Sequence, residues 1–273
     1  MFGIFIPYID LLSGNHEALL AAALAIAAVA IFTIGMHASR FSDTQPRPDS
    51  VFYTLDANSG RATWASLDRA PDHFTAQFFQ SHVRAGSLAL LTGELASPPR
   101  NSDWAEGKAP VGASRFCRLN GGATIEGDAP AAELAAPDLR VIEDSTSAGV
   151  RTVTMHIASV RGAPIVWLTI ARGVRILDSS VEGKSPGAGT SDGYSAWFWG
   201  VPDGGFDLTL KLAEAGPVRI NLIDQSESLP SFPGMAIIPR SADVMPTPFL
   251  FFDSSTLIRK TFIVGGLPTI PNT

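Results

Sequence analysis

The apolar positions of the chain follow two rhythms, and the change falls near residue 48. Before it they are continuous: residues 18–39 contain no Asp, Glu, Lys or Arg. The stretch Ala18-Leu-Leu-Ala-Ala-Ala-Leu-Ala-Ile-Ala-Ala-Val-Ala-Ile-Phe-Thr-Ile-Gly-Met36 would extend roughly 28 Å as an α-helix, close to the hydrocarbon thickness of a bilayer. A run this long and unbroken predicts a transmembrane helix over 17–39 rather than a buried soluble helix. A cleaved secretory signal would carry a basic leader, whereas residues 1–17 hold no Lys or Arg and do hold Asp10 and Glu17. The preceding 1–16 is apolar and aromatic but too short to span. It reads as a tail in the interface plane, with a bend at Pro7 and Tyr8 at headgroup level, or as a segment covered by a neighbouring subunit.

After a short, stiff, proline-bearing linker over 40–48 the period drops to two. Strands are predicted over 51–56, 61–66, 150–159, 165–171, 174–181, 195–200, 206–212, 218–223 and 257–264; in Phe206-Asp-Leu-Thr-Leu-Lys-Leu212 the alternation is strict. Gly- and Pro-bearing turns separate them, as at Asn58-Ser-Gly60 and Pro202-Asp-Gly-Gly205. Only 72–82 reads as helical, with Phe74, Phe78 and Phe79 on one side, and 97–114 and 120–137 read as long surface loops. The expected fold is mainly β: an antiparallel, jelly-roll-like β-sandwich over 49–265 behind one N-terminal transmembrane helix, with 266–273 as a C-terminal tail.

Composition narrows the function. Of 273 residues, 45% are apolar and 17% charged, and the net charge is −6 with 20 basic residues, of which only Arg259 and Lys260 are adjacent. No basic stripe is present to neutralise a phosphate backbone, so nucleic acid is not an expected partner. The single cysteine, Cys117, has no second thiol for a disulfide or a metal site and reads as a small buried hydrophobe.

Candidate chemistry is sparse. The five histidines are His16, His37, His73, His82 and His156, and none forms a recognised ligand pair. His16-Glu17 begins a His-Glu-x-x-His pattern, but Leu20 stands where the second histidine belongs. Gly189-Thr-Ser191-Asp-Gly193 matches Gly-x-Ser-x-Gly, yet an aromatic strand follows it and no histidine follows His156, so a nucleophile elbow is not expected. Gly183-Lys-Ser185 lacks the upstream glycine of a phosphate loop. Asp192, Asp203, Asp207 and Asp224 lack the spacing of a calcium loop and read as turn caps. Trp197 and Trp199 share one strand face, as core packing or as a carbohydrate platform. No catalytic, cofactor-binding or metal residue is assigned.

Several separated stretches occur in a recognisable order: Asp49-Ser-Val-Phe-Tyr-Thr-Leu-Asp-Ala-Asn-Ser-Gly-Arg-Ala-Thr-Trp-Ala-Ser66, Arg161-Gly-Ala-Pro-Ile-Val-Trp167, Pro202-Asp-Gly-Gly-Phe-Asp-Leu-Thr-Leu210 and Asp224-Gln-Ser-Glu-Ser-Leu-Pro230, then 240–246 and Asp253-Ser-Ser-Thr-Leu257. Together they resemble the C-terminal β-rich domain that follows the membrane segments in some membrane-bound zinc aminopeptidases of metallopeptidase family twenty-eight. The resemblance implies an extracytoplasmic β module. It includes no part of that family's catalytic domain, so zinc ligands and the catalytic carboxylate have no counterpart here. Charge is a weak guide to orientation: Arg40 and Arg47 after the helix favour a cytoplasmic domain, against what the resemblance implies.

The expected function is that of a non-catalytic accessory subunit, anchored in a bacterial inner membrane with its β domain in the periplasm, bracing a larger membrane complex. Its most concrete form is a subunit of a photosynthetic reaction centre with its antenna. Partner contacts are expected from the tail and the alanine-rich helix, at Phe2, Phe5, Tyr8, Ala22, Ala25, Ala28 and Gly35, because small residues let another helix approach closely. His37 at the helix end reads as interfacial rather than as a ligand to a chlorin magnesium. The alternative is an extracytoplasmic peptide- or glycan-binding module serving a separately encoded peptidase.

Overall fold

A computed structural model describes residues 17–38, 41–68, 70–79, 83–86, 124–185, 190–213, 216–247 and 253–265. The tail 1–16, the loop 97–114, the C-terminal 266–273, Cys117 and His82 lie outside them. The chain forms two compact units, residues 1–47 with 242–245 and residues 48–241 with 246–273.

The first unit contains helix α1, Glu17–Ala38. Alanine and unbranched or aliphatic residues fill it without a proline, which is what a helix of 22 residues requires. Its side chains are described for 21–36, and every one is exposed. Among the described residues no helix is long and apolar enough to cross a membrane.

The second unit is mainly β. Its strands are β1 (Arg47–Asp49, which begins in the first unit), β2 (Phe52–Asp56), β3 (Arg61–Ser66), β4 (Arg84–Gly86), β5 (Thr124–Ala129), β6 (Asp138–Ser147), β7 (Val150–Ala158), β8 (Ile165–Val181), β9 (Ser191–Trp199), β10 (Phe206–Leu212), β11 (Val218–Ser226), β12 (Val244–Pro246, whose first two residues belong to the first unit) and β13 (Thr256–Val264). β1 and β12 make a two-stranded ribbon, and the other eleven form one sheet in the order β4-β5-β3-β2-β13-β11-β8-β10-β7-β6, with β9 on β8. Within this eleven-stranded sheet the pairing is antiparallel except for β2 and β13, which run parallel from Tyr53↔Thr256 to Asp56↔Arg259.

β8 is the pivot. Its first half, 165–170, pairs with β11 on one side and β9 on the other, and its second half pairs with β10. The change comes at Gly173, whose φ of 95° is open to glycine but strained for other residues. The β8–β9 register shifts there, between Ile170 and Arg175. This bulge is why two expected strands, 165–171 and 174–181, are one strand of 17 residues.

Alternation explains the core. β10 and β7 bury every second residue, so Phe206, Leu208, Leu210 and Leu212 meet Val153, Met155 and Ile157. The same cluster takes Val166, Leu168 and Ile170 of β8 and Ile220 and Leu222 of β11. The opposite faces of β8 and β11 send Trp167 and Ile223 to a smaller cluster with Phe52, Ala65, Leu67 and Leu257. A third cluster gathers Tyr53, Trp64, Phe74, Phe78, Phe79 and Ile258.

Three expectations change. Of the expected helix over 72–82, the described residues 72–79 hold a 3₁₀ turn, Thr75–Gln77, because Asp72 Oδ1 caps the Phe74 and Thr75 amides and the three phenylalanines are drawn into the core instead of onto a helix face. The stretch 120–137 carries β5, whose Gly127 lies against the Phe79 ring. β6 was not expected because nearly all its side chains are exposed, which erases the alternation, and a bulge falls between Val141 and Glu143.

Gly205 offers a test. Its φ is 80°, and a Cβ would run into the Ile157 carbonyl oxygen; Gly60, at φ 71°, has open space around it. Gly60→Ala should cost about 1 kcal/mol through backbone strain alone, and Gly205→Ala clearly more, about 3 kcal/mol. Urea unfolding of the full chain checks the order of the two.

Candidate functional site

The exposed helix surface is the first candidate. Ala22, Ala25, Ala28 and Gly35 lie on α1, and a Cβ added at Gly35 would meet nothing within 4 Å. At 100° per residue the four fall within an arc of roughly 140°. Val29, Phe32 and Met36 project from the same arc, so it is not a continuous small-residue groove. The large side chains point all round the helix, with exposures from 53% at Met36 to 71% at Ile31. Phe2, Phe5 and Tyr8 lie outside the described residues, as does the side chain of His37.

In the β unit, two buried arginine–aspartate ties dominate the electrostatics. Asp224 on β11 is fully buried and accepts from Ser159 Oγ at 2.6 Å and Arg161 Nε at 3.1 Å. Arg161 also donates to the Thr256 carbonyl at 3.0 Å and to Ser226 Oγ. Burial pushes the Asp224 carboxyl up, with the Arg161 guanidinium opposing it. Asp224 therefore anchors a turn to the sheet and is not the turn cap expected of it. The second tie holds two carboxylates on one guanidinium. Arg240 Nε donates to Asp49 Oδ1 at 2.6 Å, Nη1 to Ser254 Oγ at 2.9 Å, and Nη2 reaches both oxygens of Asp253 at 3.2 and 3.3 Å. Its guanidinium lies over the Phe74 ring, 4.4 Å from the centroid.

The remaining candidates take structural places. His156 faces two acceptors, Asp207 Oδ1 and the Gly204 carbonyl, each at 2.8 Å, which clips the 202–205 turn to β7. His73 Nε2 meets Ser241 Oγ at 2.6 Å. Ser191 opens β9 and gives its hydroxyl to the Gly193 carbonyl, the reverse of an exposed nucleophile. Asp192 accepts from the Gly173 amide at 2.6 Å, supporting the β8 bulge. Trp167 and Trp197 stack with centroids 4.8 Å apart and planes 12° from parallel, and Trp199 continues the stack at 6.1 Å. Trp197 packs on the core and Trp199 is 55% exposed. Among the described residues no group of three or more His, Cys, Asp or Glu could hold a metal.

Sequence reasoning missed Arg240 with Asp49 and Asp253 as a set, because their charges lie up to 204 positions apart. A signal existed nonetheless. Every charged member of the two ties falls in one of the ordered stretches singled out in the sequence: Asp49 in 49–66, Arg161 in 161–167, Asp224 in 224–230, Arg240 in 240–246 and Asp253 in 253–257.

Removing the cation from the first tie should be severe. Arg161→Ala leaves the Asp224 carboxylate buried with Ser159 as its remaining side-chain donor, and should cost about 3–5 kcal/mol. An Arg161→Met, Asp224→Asn pair should recover much of that loss in urea unfolding at neutral pH.

No protein-family model matches the chain, and searches of curated proteins and of solved structures find no significant match either.

Proposed function

We propose that the chain is a non-catalytic accessory subunit, held in a bacterial inner membrane by α1 with its β unit in the periplasm, that braces a larger membrane complex. One observation carries the reading: α1 is apolar on every side and exposed on every described side chain. A helix of that kind needs a cover of lipid or of other helices. The described helix does not by itself meet the length and apolarity of a membrane span, so the anchor rests on the charge-free run of residues 18–39 in the sequence. We read the β unit as a jelly-roll-like sandwich. Its support is the main cluster, where side chains of β6, β7 and β10 converge with those of β8 and β11. The kinship with the β-rich domain of family-twenty-eight aminopeptidases is supported by its motifs, which supply the two ionic ties rather than any catalytic group.

The most concrete form remains a subunit of a photosynthetic reaction centre and antenna. A tagged chain drawn from native membranes in mild detergent should then bring pigment absorbance with it; recovery of colourless chain alone would remove that version. Replacing residues 1–38 with an unrelated single-span anchor should leave the β unit folded and release it from its complex. Full copurification after the swap would move the contact to the β unit.

The stacked Trp167, Trp197 and exposed Trp199 favour a second reading, a module that presents peptide or glycan to a separate peptidase. Under it, Trp199→Ala would weaken assembly and the anchor swap would not. Metal analysis of the purified full chain should find no stoichiometric zinc under either reading, and one zinc per chain would overturn both.

A further inference from the structure

Residues 231–241 form a strap without regular strand pairing, whose one bridge joins Phe232 and Met235. It is pinned at few points. Phe232, Met235 and Ile237 rest on the aromatic cluster, with the Phe232 ring 5.8 Å from Tyr53 and 6.0 Å from Trp64. Ile238 exchanges two hydrogen bonds with the Gln77 side chain, at 2.8 and 3.1 Å. Arg240 makes the ionic hold.

That hold is unbalanced, with two buried carboxylates against one guanidinium. Their donor supply is unequal. Asp253 accepts from the Val51 amide at 2.9 Å and from Arg240 on both oxygens. Asp49 is 1% exposed and accepts from Arg240 on Oδ1 alone; its Oδ2 is buried with no hydrogen-bond partner. An anionic oxygen buried without a donor is costly, and a proton on it removes the excess charge.

We infer that Asp49 is the proton-taking member of an acid-tightened clasp: protonated, it leaves Asp253 and Arg240 as a balanced pair and the strap closed; ionised, it leaves one surplus buried charge and the strap loosens.

The surroundings assist. Asp72, on the segment that the strap covers, adds a further negative charge, its Oδ1 already taken by the Phe74 and Thr75 amides. Asp68 accepts from the Ser50 amide at 2.9 Å. His73 touches the strap at Ser241. The other charges on β1 and before β12, Arg47 and Asp243, belong to the first unit. Burial pushes the Asp49 carboxyl up to about 6, against the pull of Arg240, and pushes Asp253 up as well. The sign follows. A carboxyl raised in the closed form favours closure fully below its ordinary range, and that contribution is lost as pH rises through about 6.

The test follows hydrogen exchange of the Ile238 amide in the full chain, corrected for intrinsic rate, from pH 7.5 to pH 5. Protection should rise about tenfold toward pH 5, the ratio given by a midpoint near 6 when closed and an ordinary one when open. Asp49→Asn, neutral at every pH, should be well protected and flat. His73→Gln should keep the wild-type slope. A wild-type profile without slope, a slope that survives Asp49→Asn, or one abolished by His73→Gln would each overturn the inference. Should Asp49→Asn unfold, carboxyl NMR titration of wild type decides instead: an Asp49 midpoint near 6 supports it and one below about 4.5 sinks it.

Discussion

β8, seventeen residues long, changes partners along its length to satisfy its backbone hydrogen bonds. Below its bulge it lies between β9 and β11; above it, it meets β10 and the start of β9. Because one continuous backbone serves both arrangements, side chains of β7 and β10 share the largest apolar cluster with those of β8 and β11. Gly173 permits the change and Asp192 holds it. The two ionic ties depend on the same frame. Asp224 sits on the strand that pairs with the first half of β8, and Arg161 lies in the turn that feeds it.

Prediction from sequence succeeded where burial is one-sided or complete. β7 and β10 alternate, β2 and β3 are mostly apolar, aromatic or β-branched, and β11 opens with Val218-Arg-Ile-Asn-Leu-Ile223, so each was visible as a strand. It failed where the pattern does not report the environment. β6 is an edge with almost nothing buried, β5 contains a glycine whose value is its closeness to Phe79, and the phenylalanines of 72–82 have helical spacing but are placed by a capped turn. The ties were illegible for another reason. A charge pair across the core carries no local signature, and Asp49, Arg240 and Asp253 become a group only when β2 and β13 are paired.

The polar groups of the β unit have structural places. Ser159, Ser191, His156 and the buried aspartates are each engaged in fixing a turn, a bulge or a strap. Among the described residues, Asp49 Oδ2 is the one buried carboxylate oxygen without a hydrogen-bond partner.

The parallel pairing of β2 with β13 has a consequence in time. Tyr53 finds its partner at Thr256, so β2 has no neighbour on that side until about 200 further residues have been made. Closing so long a loop is slow, and the waiting strand is a template for wrong partners. That pairing must therefore wait for β13, while a helix made of local contacts can form early. If α1 tethers the chain as proposed, it would also keep the unfinished sheets of neighbouring chains apart, a safeguard during biogenesis.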